Sequence, residues 1–383
     1  MGAEQGTVRS EVIVIGGGQA GLSAGYHLAR RGVPFLVLDE RERLGDNWRS
    51  RWASLRLYSP ALADGLPGHP FPGRRTAYPT GAQMGDYLEA YAREAHLPVR
   101  SGVRVERVRP RDDGGAGFVI EAGEQRFEAD QVVVATGAFH QPKVPTFASE
   151  LDPAIRQLHS SEYRTPDQLQ PGPVLVVGAS HSGADIALEA ALHGHETILS
   201  GRIHGQLPVP LESRRAKVVF PVLLLLARHV ATIRTPIGRR MRPEVRKGGG
   251  PLLRIRRQEL DAAGVERTES RTEGIRDGKP VLADGRILDV ANVVWCTGFR
   301  QDFSWIDAPV TGPDGWPMER RGVADALPGL YFVGLPFQYA FASMLVGGAG
   351  RDAAWVVDRL VERSRAMRAT TQRTSTATVR PTG

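Results

Sequence analysis

Apolar and polar positions along this chain follow a grammar that occurs twice. Val12–Ile15 is an apolar run of strand type, Gly16–Gly18 breaks it, and Gln19–Arg31 follows with Leu22, Tyr26 and Ala29 on one helical face. Gly32 and Pro34 stop that helix, and Phe35–Leu38 reads as a second strand, which completes a βαβ unit. Gly81–His96 resumes a helical pattern. Val103–Val108 and Phe118–Glu121 read as strands about a turn at Asp112–Gly115, and Gln131–Thr136 as a buried strand ending at Gly137. The grammar then repeats: strand Val174–Val177, glycine loop Gly178–Gly183, helix Ala184–Leu192, strand Thr197–Leu199, and later a buried strand Val290–Cys296 ending in Thr297-Gly298. Such duplication predicts an α/β fold of two Rossmann-like dinucleotide-binding domains. The first is discontinuous, over 10–145 and 296–363, and is interrupted by the second over 146–295. The Thr- and Arg-rich stretch 364–383 predicts a disordered tail.

Gly16-Gly17-Gly18-Gln19-Ala20-Gly21 fits a dinucleotide loop in its required context, after a strand and opening a helix. Gly16 allows the tight turn, Gly18 lets a pyrophosphate approach the backbone at a helix N-terminus, and Gly21 lets helix and strand pack closely. Asp39, at the end of the next strand, suits ribose hydroxyls and disfavours a 2′-phosphate, so this loop fits FAD or NAD. The second loop, Gly178-Ala179-Ser180-His181-Ser182-Gly183, replaces the middle glycine with serine. The strand after its helix ends Leu199-Ser200-Gly201-Arg202. An arginine there in place of an acid can pair with a 2′-phosphate, which points to NADPH.

Composition narrows the chemistry. The single cysteine, Cys296, excludes a redox-active cysteine pair, and its place in Val293–Cys296 reads as a buried structural thiol. Metal-ligand spacing, a serine elbow and paired carboxylates in a plausible cleft are all lacking. The first ten residues lack a signal-peptide core, position 6 is Gly where a myristoylation match needs Ser or Thr, and the longest apolar run, Val218–Ala227, is too short to span a bilayer. A cytoplasmic protein is expected. The net charge of +7 is local: Arg228–Arg257 holds ten Arg or Lys and one acid. That segment reads as a solvated basic insertion, or as a surface for NADPH, an acidic partner or a membrane. It lacks the interleaved aromatics of a nucleic-acid site. Oligomerisation is left open.

Further text resembles the class B flavin-dependent monooxygenases, in particular short bacterial members and the plant YUCCA type. The segments are Gly45-Asp46-Asn47-Trp48-Arg49, Leu55–Pro60, Tyr78-Pro79-Thr80, Tyr87–Ala92, the Thr-Gly pairs at Thr136-Gly137 and Thr297-Gly298, Leu330–Gly334 and Gly347–Ala354. The resemblance implies FAD contacts from Gly16, Gly18, Gln19, Ala20, Gly21, Asp39, Glu40, Asn47, Trp48, Arg49, Val105, Thr136, Gly137 and Met344. It implies NADPH contacts from Gly178, Ser180, His181, Ser182, Gly183, Ser200 and Arg202, with Thr297 and Gly298 at the second crossover. Tyr58, His181 and Met344 are the candidates for catalysis, and Tyr78, Phe337, Tyr339 and Phe341 are expected to border the flavin. The implied reaction is hydride transfer from NADPH to FAD, addition of O₂ to give a C4a-(hydro)peroxyflavin, and transfer of one oxygen to a small substrate at nitrogen, sulfur or a carbonyl carbon. The chain departs from the family's fingerprint: His159 and Tyr163 fit, but Pro153 and Ile155 stand where Phe and Gly are expected. Its only asparagines, Asn47 and Asn292, lie outside the segment where the family places one near the flavin. An oxidase or dehydrogenase on the same scaffold, or a flavin-binding sensor, are the competing readings.

Overall fold

A computed structural model describes residues 7–112, 116–211, 213 and 215–377. The chain opens with β1 (Val8–Ile15), α1 (Gln19–Arg30) and β2 (Phe35–Leu38), then α2 (Asp46–Arg49), α3 (Gly81–Glu94), β3 (Val99–Arg100), β4 (Arg107–Pro110), β5 (Phe118–Ala122) and β6 (Gln125–Val134). After a short β7 (Gln141–Pro142) it builds β8 (Arg156–His159), β9 (Val174–Val177), α4 (His181–Leu192) and β10 (Thr197–Ser200). There follow α5 (Ala216–His229), α6 (Pro236–Lys247), α7 (Arg257–Ala262), β11 (Glu266–Thr268), β12 (Thr272–Arg276), β13 (Lys279–Leu282) and β14 (Asn292–Trp295). A second short strand, β15 (Phe299–Arg300), leads back to β16 (Glu319–Arg320), β17 (Val323–Ala324), β18 (Leu330–Phe332) and α8 (Val346–Ala377).

The first sheet runs β16-β17-β18-β6-β1-β2-β3, with β5 also paired to β6 and β4 to β5. The second runs β11-β10-β9-β14-β8 and is parallel throughout. β1 lies parallel between β2 and β6, with Val12 opposite Phe35 and Gln131. Its side chains alternate: Val12 and Val14 pack with Ala24, Leu28, Val356 and Leu360 of α1 and α8, while Ile13 and Ile15 pack with Phe118, Phe127 and Phe332 on the other face. Burial on both faces is why the strand reads as an unbroken apolar run.

The two connections between the sheets pair with each other. β7 and β15 are antiparallel, Lys143 N donates to Gly298 O at 2.9 Å, and Thr297 Oγ1 donates to Lys143 O. His159 Nε2 lies 3.1 Å from Gly298 O, so the one well-matched histidine of the family fingerprint clasps the second crossover. The two departures are structural. Pro153 is in an exposed turn, and Ile155 is buried in the core beside Leu175 and Trp295.

Three sequence expectations need correction. Residues 103–106 are not strand; Val103 N instead donates to Asp39 O, which draws this stretch alongside the end of β2. The turn expected at Asp112–Gly115 falls largely on residues outside those described. α8 continues past Ser364, where a disordered tail was expected, because Ser364 and Arg368 anchor it to Glu11 at 2.8 and 2.7 Å. Residues 378–383 of that tail lie outside the described ones. The basic segment is also less solvated than its composition implies. Arg242 and Arg246 of α6 pair with Glu319 of β16 at 2.5 and 3.0 Å, and the Glu319 side chain is fully buried. Arg254 pairs with buried Asp185 at 3.1 Å. The insertion is thus bolted to the first sheet by ions that sequence cannot pair.

Candidate active site

The two glycine loops adopt the same geometry. Gly16 and Gly178 have φ of +108° and +106°. A Cβ on Gly16 would sit 2.6 Å from Ala135 O, and one on Gly178 would collide with Cys296 O. A Cβ on Gly21 would collide with Gly16 O, and one on Gly183 with Gly178 O, so the last glycine of each loop permits helix and strand to touch. Thr136-Gly137 and Thr297-Gly298 follow the two clamping strands, with Gly137 at φ +77° and Gly298 at +80°. Cys296 therefore occupies the place that Ala135 holds in the first copy, and burial pushes its thiol pKa far up. It is a packing residue of the second loop.

Gly18 differs from its neighbours. Its backbone is extended, and a Cβ there would meet nothing nearer than Asn47 Nδ2 at 3.6 Å. It caps α1 without a side-chain hydrogen bond, which leaves first-turn N–H groups facing open space. Asp39 fixes the loop: Oδ2 accepts from Gly17 N at 2.5 Å and Oδ1 from Arg41 N at 2.9 Å, while burial raises its pKa. Trp48 Nε1 donates to Gln19 Oε1 at 3.3 Å, and Gly334 approaches Ala20 so closely that a Cβ would lie 2.7 Å from Ala20 Cβ. The segment after β18 thus returns to the first loop. Val105 is half-buried beside Val103, and Glu40 is exposed beside Arg41. Arg49 has a different place from the one implied: Asp46, Asp86 and Glu89 surround its guanidinium at 2.9, 2.8 and 2.9 Å, which makes it a strut between α2 and α3.

At the second loop, Ser180 caps α4 without bonding the helix; its hydroxyl donates to Gly250 O at 3.0 Å. Ser182 is half-buried in the first turn. Ser200 is buried and its hydroxyl donates to Ser270 O, so it is committed to the fold. Arg202 is exposed and has no ion-pair partner among the described residues. A small cleft beside Ala179 and Gly201 is lined by Arg257 and Arg267, with Glu269 as its acid. These two arginines come from α7 and β11, far along the chain, so no local motif announces them.

Between the loops, Tyr58 and His181 meet. Their rings are 5.0 Å apart. Tyr58 Oη donates to Asp185 Oδ2 at 3.2 Å, one helical turn beyond His181, and Arg254 holds Oδ1 at 3.1 Å. Burial outweighs Arg254, and the Asp185 pKa is pushed up to about 6. Burial, then Asp185, raises Tyr58 well above its ordinary range. Burial also lowers His181, against a hydrogen bond to the Pro251 backbone. The buried His181 Nε2 has no hydrogen-bond partner among the described residues. Arg51 adds positive charge here, with Arg164 and Arg41 near enough to lower its pKa further after burial itself. Met344 is exposed in the turn Phe341–Met344, against which α5 packs. Tyr78 donates to Leu211 O at 2.7 Å, Phe337 is fully buried against Phe341, and Tyr339 lies at an arginine cluster away from this cleft.

The family described as pyridine nucleotide-disulphide oxidoreductase matches residues 13–208, which include both loops. An uncharacterized oxidoreductase CzcO-like protein of Geobacillus kaustophilus is 36% identical over 352 residues, covering 92% of this chain and 98% of that one. A probable indole-3-pyruvate monooxygenase, YUCCA3 of Arabidopsis thaliana, is 28% identical over 389 residues, covering 92% and 86%. The solved flavin-containing monooxygenase from Stenotrophomonas maltophilia superposes with a TM-score of 0.73 at 27% identity, over 94% of this chain and 100% of that one. The chain belongs to the pyridine nucleotide-disulphide oxidoreductase family, in its class B flavin-dependent monooxygenase branch. The family description includes disulfide chemistry, which a class B monooxygenase with one cysteine, half-buried Cys296, does not carry out by a dithiol route. Its cofactors are FAD and NADPH, and the two cradles fit them: an open glycine and an uncapped helix at the first, an uncapped helix with unpaired Arg202 at the second. Among the described residues no helix is long and apolar enough to cross a membrane.

Proposed function

We propose that this flavin monooxygenase uses NADPH to insert one oxygen atom of O₂ into a small cytoplasmic substrate at nitrogen, sulfur or a carbonyl carbon. The observation that carries the reading is the pair of equivalent glycine cradles in a chain whose single cysteine leaves no dithiol to receive electrons from the flavin. FAD supplies the redox and oxygen-carrying chemistry when bound. The FAD-binding part is 10–145 with 296–363, and the NADPH-binding part is 146–295.

Gly16, Gly18, Gln19, Ala20 and Gly21 hold the FAD pyrophosphate, Asp39 the ribose, and Asn47, Trp48, Val105, Thr136 and Gly137 the neighbouring groups. Gly178, Ser180, Ser182 and Gly183 hold the NADPH pyrophosphate, and Arg202 with Arg257 and Arg267 the 2′-phosphate. Tyr58 spans from the first part to Asp185 in the second and orients α4; His181 offers Nε2 as an acceptor to an amide N–H of the nicotinamide. Met344 and the exposed apolar side chains Val222, Leu225 and Leu226 of α5 border the entrance. Exposed Arg239 and Arg240 suit an acidic partner or a membrane surface.

The test is the coupling of NADPH consumption to product. A panel of amines, sulfides and ketones is screened for stimulated NADPH oxidation, then run under heavy-isotope O₂ with mass analysis. One labelled oxygen in the product is expected. Hydrogen peroxide released in equal amount to NADPH consumed, with no labelled product from any member, would establish the oxidase reading instead.

A further inference from the structure

A cavity of about 490 Å³ opens at the far edge of the first sheet, three strands from β1 and its glycine loop. Its cations are Arg234, from the basic insertion, and Arg320 and Arg321, from the β16–β17 hairpin; Val323, Tyr339 and Trp355 give it apolar wall. The hairpin pairs Arg320 with Val323, which leaves Arg321-Gly322 as a two-residue turn with φ of +57° and +91°. Such turns favour Asn, Asp or Gly at the first position, and a long side chain there is strained. The strained arginine is placed with care. Its guanidinium carbon lies 3.8 Å from the Trp355 ring centroid and 4.2 Å from that of Tyr339. Stacking covers guanidinium faces, and the buried Arg321 Nε has no hydrogen-bond partner among the described residues.

Three further guanidinium groups without an ion pair share the setting, beside Arg359, which stacks on Trp355 at 4.6 Å but is paired with Glu362. Arg351 sits 4.6 Å from the Tyr339 centroid with Nε and Nη2 unpartnered, Arg234 sits 5.9 Å from the same ring, and Arg320 is exposed. None of the four has an ion pair among the described residues. Against them stand Asp325 in the lining and buried Asp352 behind Arg321 and Arg351, a net excess of two positive charges from four minus two. By contrast, Arg242 and Arg246 share Glu319.

We propose that this cavity is a second binding site, for an organic anion with a carboxylate or phosphate head on an apolar body. The head meets the edges of Arg321, Arg320 and Arg234, and the body lies against Val323, Tyr339 and Trp355. The wall also touches the catalytic half of the molecule: Ile233 N donates to Tyr339 O and Phe341 N to Ala231 O, both at 2.9 Å, and Phe341 begins the turn that carries Met344. An occupant ties the basic insertion to that turn.

Full-length, FAD-loaded protein saturated with NADP⁺ is titrated by calorimetry with octanoate, octyl phosphate and uncharged octanamide. One equivalent of an anion is expected to bind, the tighter of the two identifying the head group, with octanamide weaker by about tenfold or more. Arg321→Gly suits the backbone of that turn and removes the guanidinium; it and Arg234→Gln are each expected to weaken the anion by a similar factor. FAD content and the KM for NADPH stay as in the wild type. The proposal is overturned if neither anion binds at millimolar concentration, if octanamide matches them, or if both variants bind as the wild type does.

Discussion

Replacing Gly18 by valine separates cofactor binding from folding. Gly18 lies at φ −77° and ψ −176°, an extended conformation that a β-branched residue adopts readily. A Cβ there has Asn47 Nδ2 at 3.6 Å as its nearest neighbour, an ordinary contact. Removing a glycine at such a position stabilises a chain by about 0.4–1 kcal/mol through the unfolded state. The two valine methyl groups instead fill the space above the uncapped first turn of α1, where pyrophosphate oxygens would sit. Losing two charge-assisted hydrogen bonds at about 1.5–3 kcal/mol each weakens FAD by about 3–6 kcal/mol, or roughly 10²- to 10⁴-fold. The assay is flavin absorbance per chain after desalting, with thermal melting of the apoprotein against wild-type apoprotein, since bound FAD itself stabilises. The expected result is a colourless protein that melts with the wild type. Gly21→Ala is the contrast: its Cβ collides with Gly16 O, and the apoprotein itself should be lost. A Gly18→Val protein carrying one FAD per chain refutes the assignment of the first loop. A colourless one that melts as poorly as Gly21→Ala refutes the reasoning about its backbone.

Arg202→Ala should lower kcat/KM for NADPH by about 10- to 150-fold, for a lost charge-assisted pair of about 1.5–3 kcal/mol, and leave NADH nearly unchanged; equal losses with both would remove the 2′-phosphate contact. Glu319→Ala strips the buried counter-charge from Arg242 and Arg246, and chemical unfolding should show a loss of about 3–5 kcal/mol, which Glu319→Leu with Arg246→Met should largely restore. Asp64 is fully buried with Ser59 Oγ at 2.5 Å, and burial raises its pKa to about 7. The folded chain then holds this proton more tightly than the unfolded one, so the group's contribution is complete below about pH 4 and is lost as pH rises through 7. Asp64→Asn should remove roughly 2–4 kcal/mol of that decline, read from unfolding curves at pH 5 and pH 8; a parallel shift at both would show that Asp64 does not titrate there.

The features legible in the sequence are those where backbone geometry dictates residue type. Gly16, Gly21, Gly178 and Gly183 each stand where any Cβ would strike a carbonyl or its own strand, so the spacing alone located both loops. Asp39 was legible because it ends the strand after such a loop. What was not legible depends on pairings between distant segments. Nothing near Arg242 or Arg246 in the chain announces Glu319, so the insertion read as solvated. Ser200 and Arg49 matched by position, yet the fold had already given each of them partners. Asp185 left one local trace, an acid on the buried face of α4 four residues after His181, and a charged residue on an apolar face is a signal worth following. Its partners, Tyr58 and Arg254, lie 127 and 69 residues away and left none.

The paired crossovers at β7 and β15 bear on how such an enzyme arises. An inserted segment burdens its host mainly through the entropy of holding its two ends together, a quantity that grows only slowly with the length between them. Here the ends are already sewn to one another by Lys143, Thr297 and Gly298, so the host sheet closes whether the intervening part is long or short. The inserted segment therefore enters and leaves its host at a single seam, while Arg242, Arg246 and Asp185 tie it to the host beyond that seam. A chimera that exchanges residues between these two strands for the matching unit of a relative should fold around the original flavin cradle where the donor supplies arginines for Glu319 and an acid for Tyr58, and should then inherit the donor's choice of NADH or NADPH.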